Sequence, residues 1–429
     1  MKRRKFIRNA AFTVGLVTVS GAIIRLTKSK SMDYSDYFKK LNFSLRNYKR
    51  SNPFLIVDLD KLDNNIDELK KLIPTHADYR IVVKSLPSIE LINYVQNRAK
   101  TNKLMVFNQS FLSQLSLNGD EKLDILFGKP MPVRAAQYYY QTLQTNKGFD
   151  PSKQVQWLVD TEKRIHEYIG LAKSIGQKIL LNIEIDVGLH RGGFDNIESL
   201  RSALNSIKAN QDYVAFSGFM GYDPHIVKVP SILLSRVKAF NYMKTFYNDC
   251  KSLVETEFPE LWNKNLTFNG AGSPTVSLHN TVESPLNDIS AGSFAVKPTD
   301  FDIDTLESFA PASFIATPIL KKYDNTTLPS VEKFDGILNL FDPNMEQSYY
   351  IFGGSWMADY YEPKGLKSNP IFGKSTNQIM LNSSENTKLD VDDFVFLRPH
   401  QSEFVFLQFG EILCIRDANI VDEWSVLNV

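Results

Sequence analysis

From Asn52 onward the chain alternates short apolar runs rich in β-branched residues with longer stretches whose apolar positions recur at helical spacing. That alternation predicts βαβ units around a parallel sheet. The spacing predicts strands at Phe54–Val57, Tyr79–Val83, Leu104–Phe107, Asp124–Phe127, Val155–Val159, Ile179–Ile185, Val214–Met220 and Leu266–Phe268. Between them it predicts amphipathic helices, among them Leu62–Leu72, Ile89–Arg98, Glu162–Ser174, Ile197–Ala209 and Leu233–Glu255. The count suits an α/β fold of the (β/α)8 barrel type. After about Ser308 the texture changes to short strands broken by Gly, Pro and Asn, with no long amphipathic run, which predicts a mainly-β C-terminal domain. The expected domains are therefore a barrel over residues 52–307 and a β domain over 308–429. A lead-in over 31–51, packed on the β domain, precedes them, and residues 1–30 form a separate N-terminal segment.

That N-terminal segment changes the picture. Lys2, Arg3, Arg4, Lys5 and Arg8 precede an apolar run from Ala10 to Ile24, and the first acidic residue is Asp33. The charge plan is that of a signal peptide. Arg3-Arg4-Lys5-Phe6-Ile7-Arg8 resembles the twin-arginine export motif, which predicts a periplasmic protein whose inner-membrane contact runs through this segment alone, cleaved or retained as an anchor. The alternative is a basic amphipathic helix in a cytoplasmic protein. Elsewhere, 43% hydrophobic and 23% charged residues over 429 positions are ordinary for a packed soluble protein. A net charge of +1 with dispersed Lys and Arg offers nucleic acid no basic field, so a small-molecule partner is expected. Cys250 and Cys414, the only cysteines, form neither a disulfide framework nor a metal cage.

Barrel chemistry sits on loops at the C-terminal ends of strands. Lys84 follows Tyr79–Val83, Asp186–Phe194 (DVGLHRGGF) follows Ile179–Ile185, Gly221-Tyr222-Asp223-Pro224-His225 follows Val214–Met220, and Asn269-Gly270-Ala271-Gly272-Ser273 follows Leu266–Phe268. All four would face one mouth. A desolvated lysine amine can condense with a carbonyl, although taken alone Lys84 reads as a snorkelling surface residue. Gly270, Ala271, Gly272 and Ser273, with Gly292 and Ser293 from a second small-residue stretch, would let backbone N–H groups approach a phosphate. Ser273 and Thr275 add hydroxyls on that side.

Several of these stretches together resemble fold-type III pyridoxal-phosphate (PLP) enzymes, whose barrel is that of alanine racemase. Asn52-Pro53-Phe54-Leu55-Ile56-Val57-Asp58-Leu59-Asp60 followed by Asn64-Asn65-Ile66 is similar to the opening of these barrels, especially those of D-threonine aldolases and D-serine dehydratases. Val83-Lys84-Ser85, Glu90-Leu91-Ile92 and Gly218-Phe219-Met220-Gly221-Tyr222 look closest to the amino-acid deaminase/aldolase branch. The resemblance implies a PLP-binding TIM barrel, with Lys84 as the lysine that carries the cofactor. It places Arg191 of Asp186-Val187-Gly188-Leu189-His190-Arg191-Gly192-Gly193 beside the cofactor ring, and Tyr222 in the pocket wall. It also implies a homodimer. His190 and His225 read as structural.

The aldolase and dehydratase relatives carry a C-terminal His-x-Cys or His-x-Asp metal pair; here the stretch is Arg398-Pro399-His400-Gln401-Ser402-Glu403. A serine hydroxyl is a poor divalent ligand, and Glu403 would point away from His400 if this were a strand. No metal is therefore expected, and His400 and Ser402 are expected to assist at a substrate β-hydroxyl. The function implied is a PLP-dependent lyase on D-configured β-hydroxy amino acids, by aldol cleavage or dehydrative deamination. Three alternatives stay open: a racemase with a second base among Tyr349, Tyr350, Tyr360 and Tyr361, a PLP-binding protein without turnover, and a PLP-free barrel hydrolase using Glu184 and Asp186.

Overall fold

A computed structural model describes residues 33–145, 148–230, 232–327, 343–369, 372–373 and 375–429; the twin-arginine stretch lies outside them. The chain divides into two compact units. Of the described residues, one comprises those of 55–313, 399–417 and 421–429, the other those of 33–54, 314–398 and 418–420.

The first unit opens with β1 (Phe54–Asp58) and contains a closed eight-stranded parallel barrel. Its strands are β2 (Asp78–Val82), β3 (Lys103–Val106), β4 (Asp124–Phe127), β5 (Val155–Val159), β6 (Ile179–Glu184), β7 (Val214–Gly221), β8 (Thr267–Gly270) and β9 (Asp288–Ala291). Closure comes from β9 pairing with β2, Tyr79 opposite Ile289. The fold class is as expected, but its membership differs in one strand. Phe54–Val57 is not a barrel strand: β1 pairs in parallel with β16 (Glu411–Arg416), Leu55 opposite Ile412. Both kinds of strand are buried on two faces and read alike as apolar runs. The strand that closes the barrel is β9, whose Asp288 and Ser290 broke the apolar pattern yet are buried.

Asp288 is tolerated because a polar layer crosses the barrel interior. Arg80, fully buried on β2, donates from Nε to Asp288 Oδ1 at 2.8 Å and from Nη1 to Asp124 Oδ1 at 3.0 Å. Gln156 bridges Asp124 and Thr267, and Asn182 donates to Gln156. Burial alone would push the Asp288 carboxyl up, but Arg80, Lys103 and Asn269 reverse this and hold it below the usual carboxylate range.

Helices start where a side chain accepts from an early N–H: Asp58 before Leu59–Leu72, Ser88 before Ile89–Ala99, Asn108 before Gln109–Asn118, Thr161 before Glu162–Ile175 and Asn196 before Ile197–Lys208. Among the described residues no helix is long and apolar enough to cross a membrane.

The second unit is a mainly-β sheet. With β10 (Ser313–Asp324), β11 (Gln347–Phe352), β12 (Ala358–Glu362), β13 (Lys367–Ser368), β14 (Gln378–Ser383) and β15 (Phe394–Pro399), its order is β13-β14-β11-β10-β15-β12. The helix Asp36–Arg46 lies on it: Asn42 donates to Asp393 at 2.9 Å and accepts from Phe394 N at 2.8 Å, while Phe38 packs edge-on to Phe314. Residues 308–429 thus divide between the two units rather than forming one β domain.

Candidate active site

The mouth of the barrel holds a cavity of about 790 Å3 lined by loops that follow β2, β3, β4, β6, β7, β8 and β9 and by residues of the 401–407 segment. Lys84 enters it from a single 3-10 turn, Val83–Ser85, that ends β2. Its Nζ lies 2.8 Å from Glu403 Oε2 and 4.8 Å from the centre of the Phe107 ring. The side chain is about one-third exposed.

Beside the turn that carries Lys84, two small-residue loops are tied to each other. Ser273 Oγ accepts from the N–H of Gly292 at 3.2 Å and of Phe294 at 3.1 Å, and Ser293 Oγ meets Ser85 Oγ at 3.0 Å. Neither glycine can be enlarged in place. A Cβ on Gly292 would stand 2.8 Å from the Val82 carbonyl oxygen, and one on Gly272 2.7 Å from the Tyr222 ring. Among the described residues the Gly272 and Ser273 N–H groups donate no backbone hydrogen bond, so they are available to an anion. Thr275 is turned away, donating to the buried Asp223 at 2.6 Å, and Asp223 in turn meets His279 Nε2 at 2.7 Å. Gly270 is buried behind the lining, against Leu286.

The loop after β6 is shaped by Asp186, whose Oδ1 accepts from the N–H groups of Gly188 and His190 while Oδ2 meets His190 Nδ1 at 3.0 Å. Burial acts against the Asp186 charge, but these hydrogen bonds outweigh it and hold the carboxyl below its ordinary value. The turn exposes His190 and sends Arg191 over Tyr222, its guanidinium carbon 4.8 Å from the ring centre. Burial pushes the Tyr222 hydroxyl up; Arg191 opposes this, while Asp223 and Glu403 add to it. Glu184 also lines the cavity, and its carboxyl is pushed up to about 7 by burial, against the pull of Arg191. His225 is buried, with its pKa lowered by burial first.

The sequence therefore brings Lys84, Arg191, Tyr222, Ala271, Gly272, Ser273, Gly292 and Ser293 to one cavity. The C-terminal segment is different. Residues 400–403 are not a strand: they lead into a short helix, Ser402–Phe406, that buries Val405 and Phe406. Glu403 lies apart from His400, as expected, but the face that meets the cavity is the other one: Gln401 and Glu403 line it, whereas His400 and Ser402 do not. His400 O accepts from Asp300 N at 3.2 Å, and Ser402 is buried. Among the described residues no three His, Cys, Asp or Glu side chains converge as metal ligands. The hydroxyl and amide beside His400 are weak divalent ligands, so this donor set does not fit a divalent ion. Of the racemase tyrosines, Tyr349 is buried in the β unit and donates to Thr387 O, and Tyr360 meets Ser368 Oγ.

Residues 57–262 match the family model described as alanine racemase, N-terminal domain. The match ends before the 270–273 and 290–293 loops. No curated protein sequence matches the chain. Among solved structures, a D-threonine aldolase from Filomicrobium marinum superposes with a TM-score of 0.66 at 14% identity, over 89% of this chain and 98% of that one. D-threo-3-hydroxyaspartate dehydratase from Delftia sp. HT23 gives 0.66 at 14%, over 90% and 99%. An alanine racemase from Clostridium difficile 630 gives 0.64 at 16%, over 89% and 100%. At these identities the likeness is one of fold.

Proposed function

Residues 57–262, which carry six of the eight barrel strands, belong to the alanine racemase N-terminal domain family, whose barrel is that of fold-type III PLP enzymes, and from that premise we propose that this chain is a PLP-dependent lyase of D-configured β-hydroxy amino acids. The observation that carries the reading is the placement of Lys84 at the end of β2, inside a cavity whose adjoining wall is the Ser273-tied pair of small-residue loops. These residues fit the group. Lys84 Nζ would hold its aldehyde carbon. The Gly272 and Ser273 N–H groups would hold its phosphate, and the Arg191–Tyr222 pair would face its ring. PLP, when bound, supplies an electron sink that weakens the bonds at the Cα of an amino acid.

The protein's part is selection and proton handling. Lys84, freed at Nζ, is a base beside Cα, and Glu184, with a carboxyl near neutrality, can lend or take a proton at pH 7. Asp160, Glu184 and Glu403 line the cavity and favour a substrate that carries a cationic group. A panel of D- and L-amino acids, scored for glycine plus aldehyde, keto acid plus ammonia, and inverted amino acid, tests the reading. Release of aldehyde or keto acid from a D-β-hydroxy substrate supports it; inversion alone reassigns the chain as a racemase. We also propose twin-arginine export and a homodimer. Replacing Arg3 and Arg4 by Lys should leave the protein in the cytoplasm, and sedimentation should give twice the chain mass.

A further inference from the structure

We infer that Glu403 is the docking point for the substrate's α-ammonium group, a deepening of the lyase reading on which it rests. Three observations converge on it. Glu403 Oε2 is 2.8 Å from Lys84 Nζ, ion-pair distance from the nitrogen that holds the cofactor. The carboxylate is presented by a braced segment: Asp300 N donates to His400 O at 3.2 Å, Gln401 Nε2 donates to Asp300 Oδ2 at 2.9 Å, and Val405 and Phe406 are buried just beyond. The other two carboxylates lining the cavity, Asp160 and Glu184, form no ion pair with Lys84, and the guanidinium of Arg191 acts on Glu184 instead.

Chemistry then places the substrate. An amino acid that replaces Lys84 must bring its own nitrogen to the carbon that Nζ holds, so its ammonium arrives beside Nζ and within reach of the same carboxylate; its protons pass to Nζ as the new C–N bond forms and the old one breaks, and Lys84 leaves as the ammonium. Two cations in turn use one anion. The partly exposed carboxylate, about one-third accessible, admits the exchange without leaving a charge stranded in the interior. The expected ligand is therefore an α-ammonium carboxylate; a keto acid or hydroxy acid of the same shape lacks the charge that Glu403 reads.

The test is a spectral titration of the purified holoprotein with 2-aminoisobutyrate, which can displace Lys84 from the cofactor but has neither a Cα–H nor a β-hydroxyl through which to react. Wild type, Glu403→Gln and Glu403→Asp are compared, with cofactor content and thermal midpoint measured on each. The inference expects Glu403→Gln to keep full cofactor content and midpoint while its dissociation constant rises on the order of tenfold to a hundredfold, the loss of one charged partner. Glu403→Asp should recover part of that loss, and the affinity for a 2-hydroxy acid should stay equal in all three. A dissociation constant unchanged within twofold in Glu403→Gln overturns the inference and leaves the lyase reading standing. Absence of cofactor from wild type overturns both.

Discussion

Arg80 and Lys84 sit four positions apart on β2 and its terminal turn, and each faces carboxylate, yet they answer different needs. Arg80 is fully buried and saturated: Nε, Nη1 and Nη2 all donate, to Asp288, Asp124 and the Leu104 carbonyl. Lys84 is one-third exposed and faces a single carboxylate oxygen and an aromatic ring. A saturated buried cation fixes the geometry of closure. A cation with one exchangeable partner is left able to change partners, which a residue that must bond covalently to a cofactor and let go again requires. The polar floor of the barrel is scaffold; the polar mouth is where we propose the chemistry.

The comparison breaks most sharply at its two poles. Lys84→Ala should abolish the visible absorption of bound PLP and all turnover while leaving the fold intact, as judged by circular dichroism. Asp288→Ala should do the reverse. It leaves the buried Arg80 guanidinium with Asp124 as its one carboxylate partner and takes from Lys103 its buried one, so a loss of about 3–5 kcal/mol in denaturant unfolding is expected, with cofactor absorption retained in the fraction that folds. If Asp288→Ala instead unfolds at the wild-type denaturant concentration, the polar layer is not holding the barrel closed.

A smaller effect is expected where the two regions meet. Gly292→Ala pushes a methyl group toward the Val82 carbonyl, beside the turn that carries Lys84. Overpacking of this kind costs about 1–3 kcal/mol, and most of it should be read as weaker PLP retention on dialysis, because the displaced backbone belongs to the cofactor's cradle. Equal retention in mutant and wild type would show that the cradle has slack.

How legible all this was depended on where the polarity lay. Asp124–Phe127 and Val155–Val159 appear at the boundaries read from the sequence because their runs are apolar and end in turn residues or a helix cap. β9 did not read as a strand, since Asp288 and Ser290 point into a polar layer whose partner, Arg80, lies more than 200 positions earlier in the chain. Gln109–Asn118 and Val133–Thr142 were not assigned. Their polar faces carry Gln, Ser and Tyr, which dilute the helical period, although the Asn108 cap was a usable signal. At the site, Lys84, Arg191 and Tyr222 from the family-like stretches and Ala271, Gly272, Ser273, Gly292 and Ser293 from the strand ends line one cavity. The family likeness misled at 400–403 over the face: it gave the cavity to His400 and Ser402, whereas the segment entering the Ser402–Phe406 helix presents Gln401 and Glu403. Only tertiary structure could bring Glu403 to Lys84.

The gentlest probe is pH. Burial raises the Glu184 carboxyl from 4.5 to about 7, so the folded state holds its proton more tightly than the unfolded chain does. Its contribution to stability is complete below pH 4.5 and is lost as pH rises through 7. Glu184→Gln should remove that slope from a plot of unfolding free energy between pH 5 and 8. An unchanged slope would mean that Glu184 is solvated and plays no proton-handling part at neutrality.

The central claim, that the exchangeable cation on β2 is the cofactor lysine, is tested most directly by reducing the holoprotein with borohydride and mapping the labelled peptide. A pyridoxyl group on Lys84, and on no other lysine, is the predicted result. Label on a different lysine, or none on a protein that turns over amino acids, would contradict the account.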